Sequence, residues 1–185
     1  EINKGDSLNK VLANLVSKKV LNSPWVAKIY AKEQRLASEI KVGEFLLKTG
    51  LTIPELFSLI TSNRQVTYNI RFIEGTTFRQ VQSVLQGEPK LDQNLNGLSD
   101  SDILKVLNLG VEDDQQIARL EGQFYPDTYT YHKNDRDTDI LKRAHKRLQA
   151  ILKEEWAGRQ KNIPLKTSYE ALILASIVEK ETGAA

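Results

Sequence analysis

The chain has 185 residues, 40% hydrophobic and 27% charged, with a formal net charge of +2. That suits one sizeable domain or two small ones, and so small a basic excess argues against a nucleic-acid partner. Cysteine is absent and His132 and His145 are the two histidines, which excludes disulfides, thiolate nucleophiles, Cys-rich zinc sites and multi-histidine metal centres.

In chain order, Ile2 opens a short strand, Gly5 turns the chain, and Ser7 caps a helix whose stripe is Leu8, Val11, Leu12 and Leu15. Ser23 caps a second helix predicted over Pro24 to Ser38, with the proline at the position where a missing N–H costs nothing. Ile40 to Leu47 is extended around Gly43. Thr52 with Glu55 makes a capping box for a third helix, buried through Ile53, Leu56, Phe57 and Ile60. One pattern recurs at Gly5, Gly50 and Gly75: a Ser or Thr follows two residues later, then an apolar helical stripe. Each copy predicts a glycine turn into a capped helix. The polar break Thr61-Ser62-Asn63-Arg64 divides the chain into residues 1–65 and 66–185.

Val66 to Ile73 alternates as a strand, and Thr77 with Gln80 forms a second capping box. Gln86 to Asp100 is rich in turn-forming residues and reads as a loop. Ser99 or Asp100 caps a short helix through Leu109, closed by Gly110, and Gln115 to Leu120 is predicted as another helical turn. Asp137 or Thr138 caps a long helix to about Trp156, with Leu141, Ala144, Leu148, Ile151 and Leu152 inward. Thr167 or Ser168 caps the last helix, which runs to the end. The whole reads as an α+β fold.

Phosphate-binding glycine loops and the G-x-S-x-G elbow are missing, and the longest apolar run, residues 171–178, is too short to cross a bilayer. Carboxylate chemistry remains. On the last helix Glu181 follows Leu174, Ile177 and Val178 at spacings of seven, four and three, and so continues their apolar face, while Glu179 falls nearer the edge. A carboxylate desolvated on that face would hold a proton for general-acid work. The alternative is a frayed helix end with two solvated glutamates. Phe124, Tyr125, Tyr129 and Tyr131 around Pro126-Asp127-Thr128 form either a sugar-stacking platform or a core with a turn. Lys142, Arg143, Lys146 and Arg147 make a basic helix face, either solvated or turned to an anionic polymer or lipid headgroups. His145 reads as structural.

Three segments together carry a resemblance: Phe72-Ile73-Glu74-Gly75, then Glu121-Gly122-Gln123-Phe124-Tyr125-Pro126-Asp127-Thr128-Tyr129, then Ala175-Ser176-Ile177-Val178-Glu179-Lys180-Glu181-Thr182. With Leu141-Lys142-Arg143-Ala144-His145-Lys146, they resemble the endolytic murein transglycosylases of bacteria, in order and along the whole chain. The resemblance implies a LysM-like module over residues 1–65, through Gly5-Asp6-Ser7-Leu8, and a catalytic domain over 66–185 that is incomplete at its C-terminus. It implies Glu181 as the catalytic residue, with Glu74, Glu121, Phe124, Asp127, Thr128, Tyr129 and Glu179 binding substrate.

The implied reaction is non-hydrolytic cleavage of the MurNAc–GlcNAc linkage, leaving 1,6-anhydroMurNAc ends and needing neither metal nor cofactor. The implied partners are peptidoglycan glycan strands and cell-wall synthases. Both modules would be periplasmic, held to the inner membrane by an N-terminal helix that these residues do not include. The competing readings are a non-catalytic glycan-binding module and an adaptor recruited to the synthases through the basic helix.

Overall fold

Local capping chemistry organises the chain. Ser7 accepts the Lys10 amide at 3.3 Å and starts α1 (Leu8–Ser17). Thr52 and Thr77 close full capping boxes at the heads of α3 (Ile53–Thr61) and α4 (Phe78–Gln86). The Thr52 amide and hydroxyl, both donating to Glu55, hold its carboxyl below the usual range. Thr52→Ala and Thr77→Ala should each destabilise by about 1 kcal/mol, read as a lower urea midpoint. Unchanged midpoints in both variants would remove the caps from any account of stability.

The computed structural model describes residues 1–182 except Thr49, Gly110, Asp113, Asp114, Ile117 and Ala118, and describes Val111, Glu112, Gln115 and Gln116 by backbone alone. It divides into two compact units, Glu1–Tyr68 with His132–Asn134, and Asn69–Tyr131 with Asp135–Ala185. The first unit thus takes in residues 132–134 as well as the N-terminal stretch.

In the first unit, α1, α2 (Pro24–Glu33) and α3 enclose one apolar core around Leu12, Leu56, Phe57 and Ile60. Phe57 is fully buried, its ring 5.7 Å from that of Tyr30. Ala27 and Ala31 let α2 approach closely. The two strands predicted here reduce to a single antiparallel bridge, Ile2 with Gly43, whose amides and carbonyls exchange hydrogen bonds of 2.8 Å. Gly43 sits at φ +140°, a conformation that favours glycine, and a Cβ there would come within 2.9 Å of the movable end of the Gln65 side chain. The second helix is shorter than predicted. It stops at Glu33 because Arg35 adopts the left-handed conformation, and Leu36–Ser38 continues as a separate 3-10 turn. Lys133 joins this unit through Glu1 at 2.7 Å and Glu44 at 3.4 Å.

In the second unit, β1 (Tyr68–Arg71) pairs with β4 (Thr128–Tyr131), and the Phe72 amide extends the pairing to the Asp127 carbonyl. The helices of this unit are α4, α5 (Asp100–Leu107), α6 (Asp137–Gly158) and α7 (Ser168–Thr182), with α6 packed on β4 and flanked by α5 and α7. The buried stripe of α6 runs Ile140, Leu141, Ala144, His145 and Leu148. Ser99 caps α5, which ends at Leu107 with Asn108 in the left-handed conformation; the predicted closure at Gly110 lies outside the described residues. The mixture of helices and sheet is α+β.

Two local predictions differ. Gln115–Gln116 is not helical but pairs as β3 with β2 (Val111–Glu112), antiparallel, Val111 opposite Gln116. Six residues are too few to nucleate an isolated helix, and an extended partner lies immediately upstream. Asp137 does not cap α6, whose cap position is Arg136. Its buried carboxylate instead accepts the Leu95 amide at 3.0 Å and the Thr138 amide at 2.7 Å, tying a distant loop to the helix start. Among the described residues no helix is long and apolar enough to cross a membrane.

Candidate functional site

The second unit contains a cleft of about 190 Å³. Three stretches distant in sequence form most of it: 72–78, where β1 leads into α4; 120–126, before β4; and one face of α7; Val81 of α4 and Leu148 of α6 complete the lining.

Each wall has a local cause. Gly75 turns at φ +71°, which brings the chain from the strand to the Thr77 cap. A Cβ on Gly75 would lie 3.8 Å from Cγ of Glu179, so this turn and α7 face each other closely. Glu121 reaches across 43 residues to accept the Phe78 amide at 2.9 Å. Phe78 is the first residue of α4, so the carboxylate satisfies an amide left open at the helix start and meets the positive end of its dipole. The Phe124 ring is tilted against Phe78 at 5.4 Å and meets His145 edge-on at 6.4 Å. His145 is buried, its Nδ1 2.9 Å from the Gln123 carbonyl oxygen, a structural role as the sequence suggests.

Leu172, Ser176, Glu179 and Lys180 contribute the α7 wall. Ser176, Glu179 and Lys180 follow Leu172 by four, seven and eight positions, which puts all four on one helical face. The cleft is therefore apolar at Phe72, Phe78 and Leu148, with Glu121, Glu179 and Lys180 as its charged groups. Such a surface offers stacking and van der Waals area plus a few oriented polar groups, the chemistry that an uncharged, hydroxyl- and amide-bearing ligand needs.

The sequence-predicted site residues separate. Glu121, Phe124 and Glu179 meet in the cleft. Glu74 is exposed beside it, between the lining residues Ile73 and Gly75. Asp127 faces α6 instead, pairing with Arg147 at 3.0 Å and accepting the Thr128 amide at 2.7 Å. Thr128 is exposed on β4.

Tyr129 is core: its hydroxyl donates to the Tyr125 carbonyl at 2.6 Å, its ring lies 5.2 Å from that of Phe72, and burial pushes its pKa up to about 12, helped by the Asp127 charge. The aromatic cluster thus divides, Tyr129 and Tyr131 filling the core while Phe124 reaches the cleft and Tyr125 lies under the Arg147 guanidinium. The basic helix face divides too, since Arg147 binds Asp127 and Arg143 donates to the Thr130 carbonyl at 2.7 Å.

Glu181 stands elsewhere on α7. The stripe it continues is not buried as the sequence pattern predicts: Leu174 is 49% exposed, and Ile177 and Val178 are each 53% exposed. The residues 171–175 are apolar all round the helix, so periodicity alone does not choose which side turns inward. Ser176 and Lys180 escape the sequence reading for the same reason. Their spacing from Glu179 is the signal that finds them, once Glu179 is known to face the cleft.

Comparison with known proteins now bears on this cleft. The family model described as the YceG-like family matches residues 1–185. The chain belongs to the YceG-like family. This is the family of the endolytic murein transglycosylases, which ties the chain to peptidoglycan. A yceG-like protein of known crystal structure, from Listeria monocytogenes, is 22% identical, with a TM-score of 0.36. The match covers 85% of this chain and 56% of that one, so the chain spans little more than half of its length. No curated protein matches the chain.

Proposed function

We propose that this YceG-like chain belongs to a peptidoglycan lytic transglycosylase that cuts inside glycan strands. The observation that carries the reading is the cleft itself. All three motif segments behind the family resemblance converge on it, bringing carboxylates from two of them to apolar and aromatic walls. Glycan rings present apolar faces edged by hydroxyls and amides, which such walls suit.

In the proposed reaction Glu181, protonated, donates to the oxygen linking N-acetylmuramic acid to N-acetylglucosamine. The same carboxylate then takes the proton from the muramoyl C6 hydroxyl as that oxygen attacks C1 of its own ring. The C1–O bond to the leaving sugar breaks, a C1–O6 bond forms, and the product ends in 1,6-anhydroMurNAc. One acid/base group suffices because the nucleophile is intramolecular, which also supplies a proximity advantage of several powers of ten. No metal or cofactor enters the scheme. Glu179 and Glu121 serve as binding walls, and Glu74, Phe124, Asp127, Thr128 and Tyr129 as binding or shaping residues around them.

The first unit is read as a LysM-like glycan-binding module, and cutting by the whole protein would terminate nascent strands beside cell-wall synthases. The working location is the bacterial inner membrane, both units periplasmic. Digestion of purified peptidoglycan by the full-length protein tests the reaction. Anhydro-ended muropeptides are expected. Glycan that is bound but left intact would reject catalysis in favour of a binding module, a reading to which the position of Glu181 outside the cleft lining lends some weight.

A further inference from the structure

The outward face of α2 has no role in the folding of its unit. Ala27 and Ala31 bury the inner side completely, yet Trp25 is 67% exposed, Val26 52% and Ile29 46%. Trp25 and Ile29 are one turn apart, so they form a continuous apolar row with Val26 at its edge. Lys28 and Lys32, likewise one turn apart and both exposed, run beside that row, and Arg35 follows the helix. Among the described residues no ion pair engages Lys28 or Lys32. Glu33 is the one acidic residue of the helix.

The surrounding unit has the same electrostatic character. It holds eleven Lys or Arg against six Asp or Glu, whereas the second unit holds fifteen against eighteen. The basic excess of the chain therefore belongs to the unit that exposes this tryptophan.

We infer that α2 of the first unit seats on an anionic lipid surface, Trp25 and Ile29 entering the headgroup layer while Lys28 and Lys32 meet lipid phosphates. The inference rests on this surface alone and is independent of the proposed reaction. The two halves of the face decide between occupants. A dissolved anionic polymer would satisfy the lysines and leave the indole in water. A neutral glycan would stack on the indole and gain nothing from the lysines, while peptidoglycan, with carboxylates on its stem peptides, offers no apolar phase for the Trp25–Ile29 row to enter. A bilayer containing acidic lipids offers an apolar phase directly behind negative charge, which is what an exposed Trp–Ile row flanked by lysines matches.

The test uses the full chain with Trp156→Phe, which leaves Trp25 as the sole tryptophan reporter. Mixed phosphatidylglycerol–phosphatidylcholine vesicles should shift Trp25 emission to the blue and sediment the protein, and high salt should release it. Pure phosphatidylcholine vesicles should bind much less. In the parent chain, Trp25→Ala should weaken sedimentation with the mixed vesicles roughly tenfold, from the apolar area withdrawn. The double variant Lys28→Ala/Lys32→Ala alters two exposed side chains and gives a second reading, a loss confined to the acidic vesicles.

An unshifted emission, or vesicle binding that survives both sets of substitutions, would overturn the inference. So would a blue shift produced by purified peptidoglycan and not by vesicles, which would make the face a glycan site. Concentration-dependent self-association abolished by Trp25→Ala would overturn it too, by assigning the face to a second copy of the chain.

Discussion

Glu181→Gln in the full-length protein is expected to lower turnover of peptidoglycan about 10²–10⁴-fold, the usual worth of general acid–base assistance. The amide keeps the shape of the side chain but can neither protonate the leaving oxygen nor accept the C6 proton. Glu181 is exposed on α7, so folding should be unaffected. Glu179→Gln is the informative companion, since it removes the same charge from a residue that does line the cleft. If Glu179 is a binding wall, its loss should mainly raise KM, with a much smaller fall in kcat. Counting anhydro-ended muropeptides under saturating and limiting glycan separates the two effects. The reverse result, with kcat lost at Glu179 and kept at Glu181, would transfer the acid/base role to the cleft carboxylate. Full activity in both variants would dissociate this helix from catalysis.

Phe57→Ala is expected to destabilise the first unit by about 3–5 kcal/mol, the usual cost of emptying a buried aromatic site. Phe57 is fully buried, with Leu56 and Ile60 of the same helix in the same core and the Tyr30 ring tilted against it. Where the loss falls in that range depends on how far the Tyr30 ring relaxes into the vacated space. A loss of that size is a large share of the stability of a small domain. Leu46→Ala is the control: Leu46 is 75% exposed, and its truncation should shift stability by no more than ~0.5 kcal/mol. Urea unfolding followed by near-ultraviolet dichroism compares the two directly. Equal midpoints for Phe57→Ala and Leu46→Ala would show that the core around α3 contributes no cooperative stability.

Sequence alone determined what depends on neighbours along the chain. The caps at Ser7, Thr52 and Thr77 and the stripes Leu12–Leu15 and Leu56–Phe57–Ile60 follow from hydroxyls and apolar residues a few positions apart. The motif segments that line the cleft were legible for the same reason, as short local strings. Tertiary structure decided what depends on groups far apart in the chain. Glu121 holds the first amide of α4, and Asp137 holds the Leu95 amide, across 43 and 42 residues respectively; no local pattern announces either bond. The pairing of Val111–Glu112 with Gln115–Gln116 is local, and it replaces the helical turn expected from Gln115. The orientation of α7 is the sharpest case. Residues 171–175 are apolar on every side, so periodicity does not choose between the two glutamate stripes, and the one that meets Gly75, Glu121 and Leu148 at the cleft is that of Glu179. That is why the sequence could name the two glutamates, both exposed, while only the packed unit put Glu179 in the cleft lining and left Glu181 out of it.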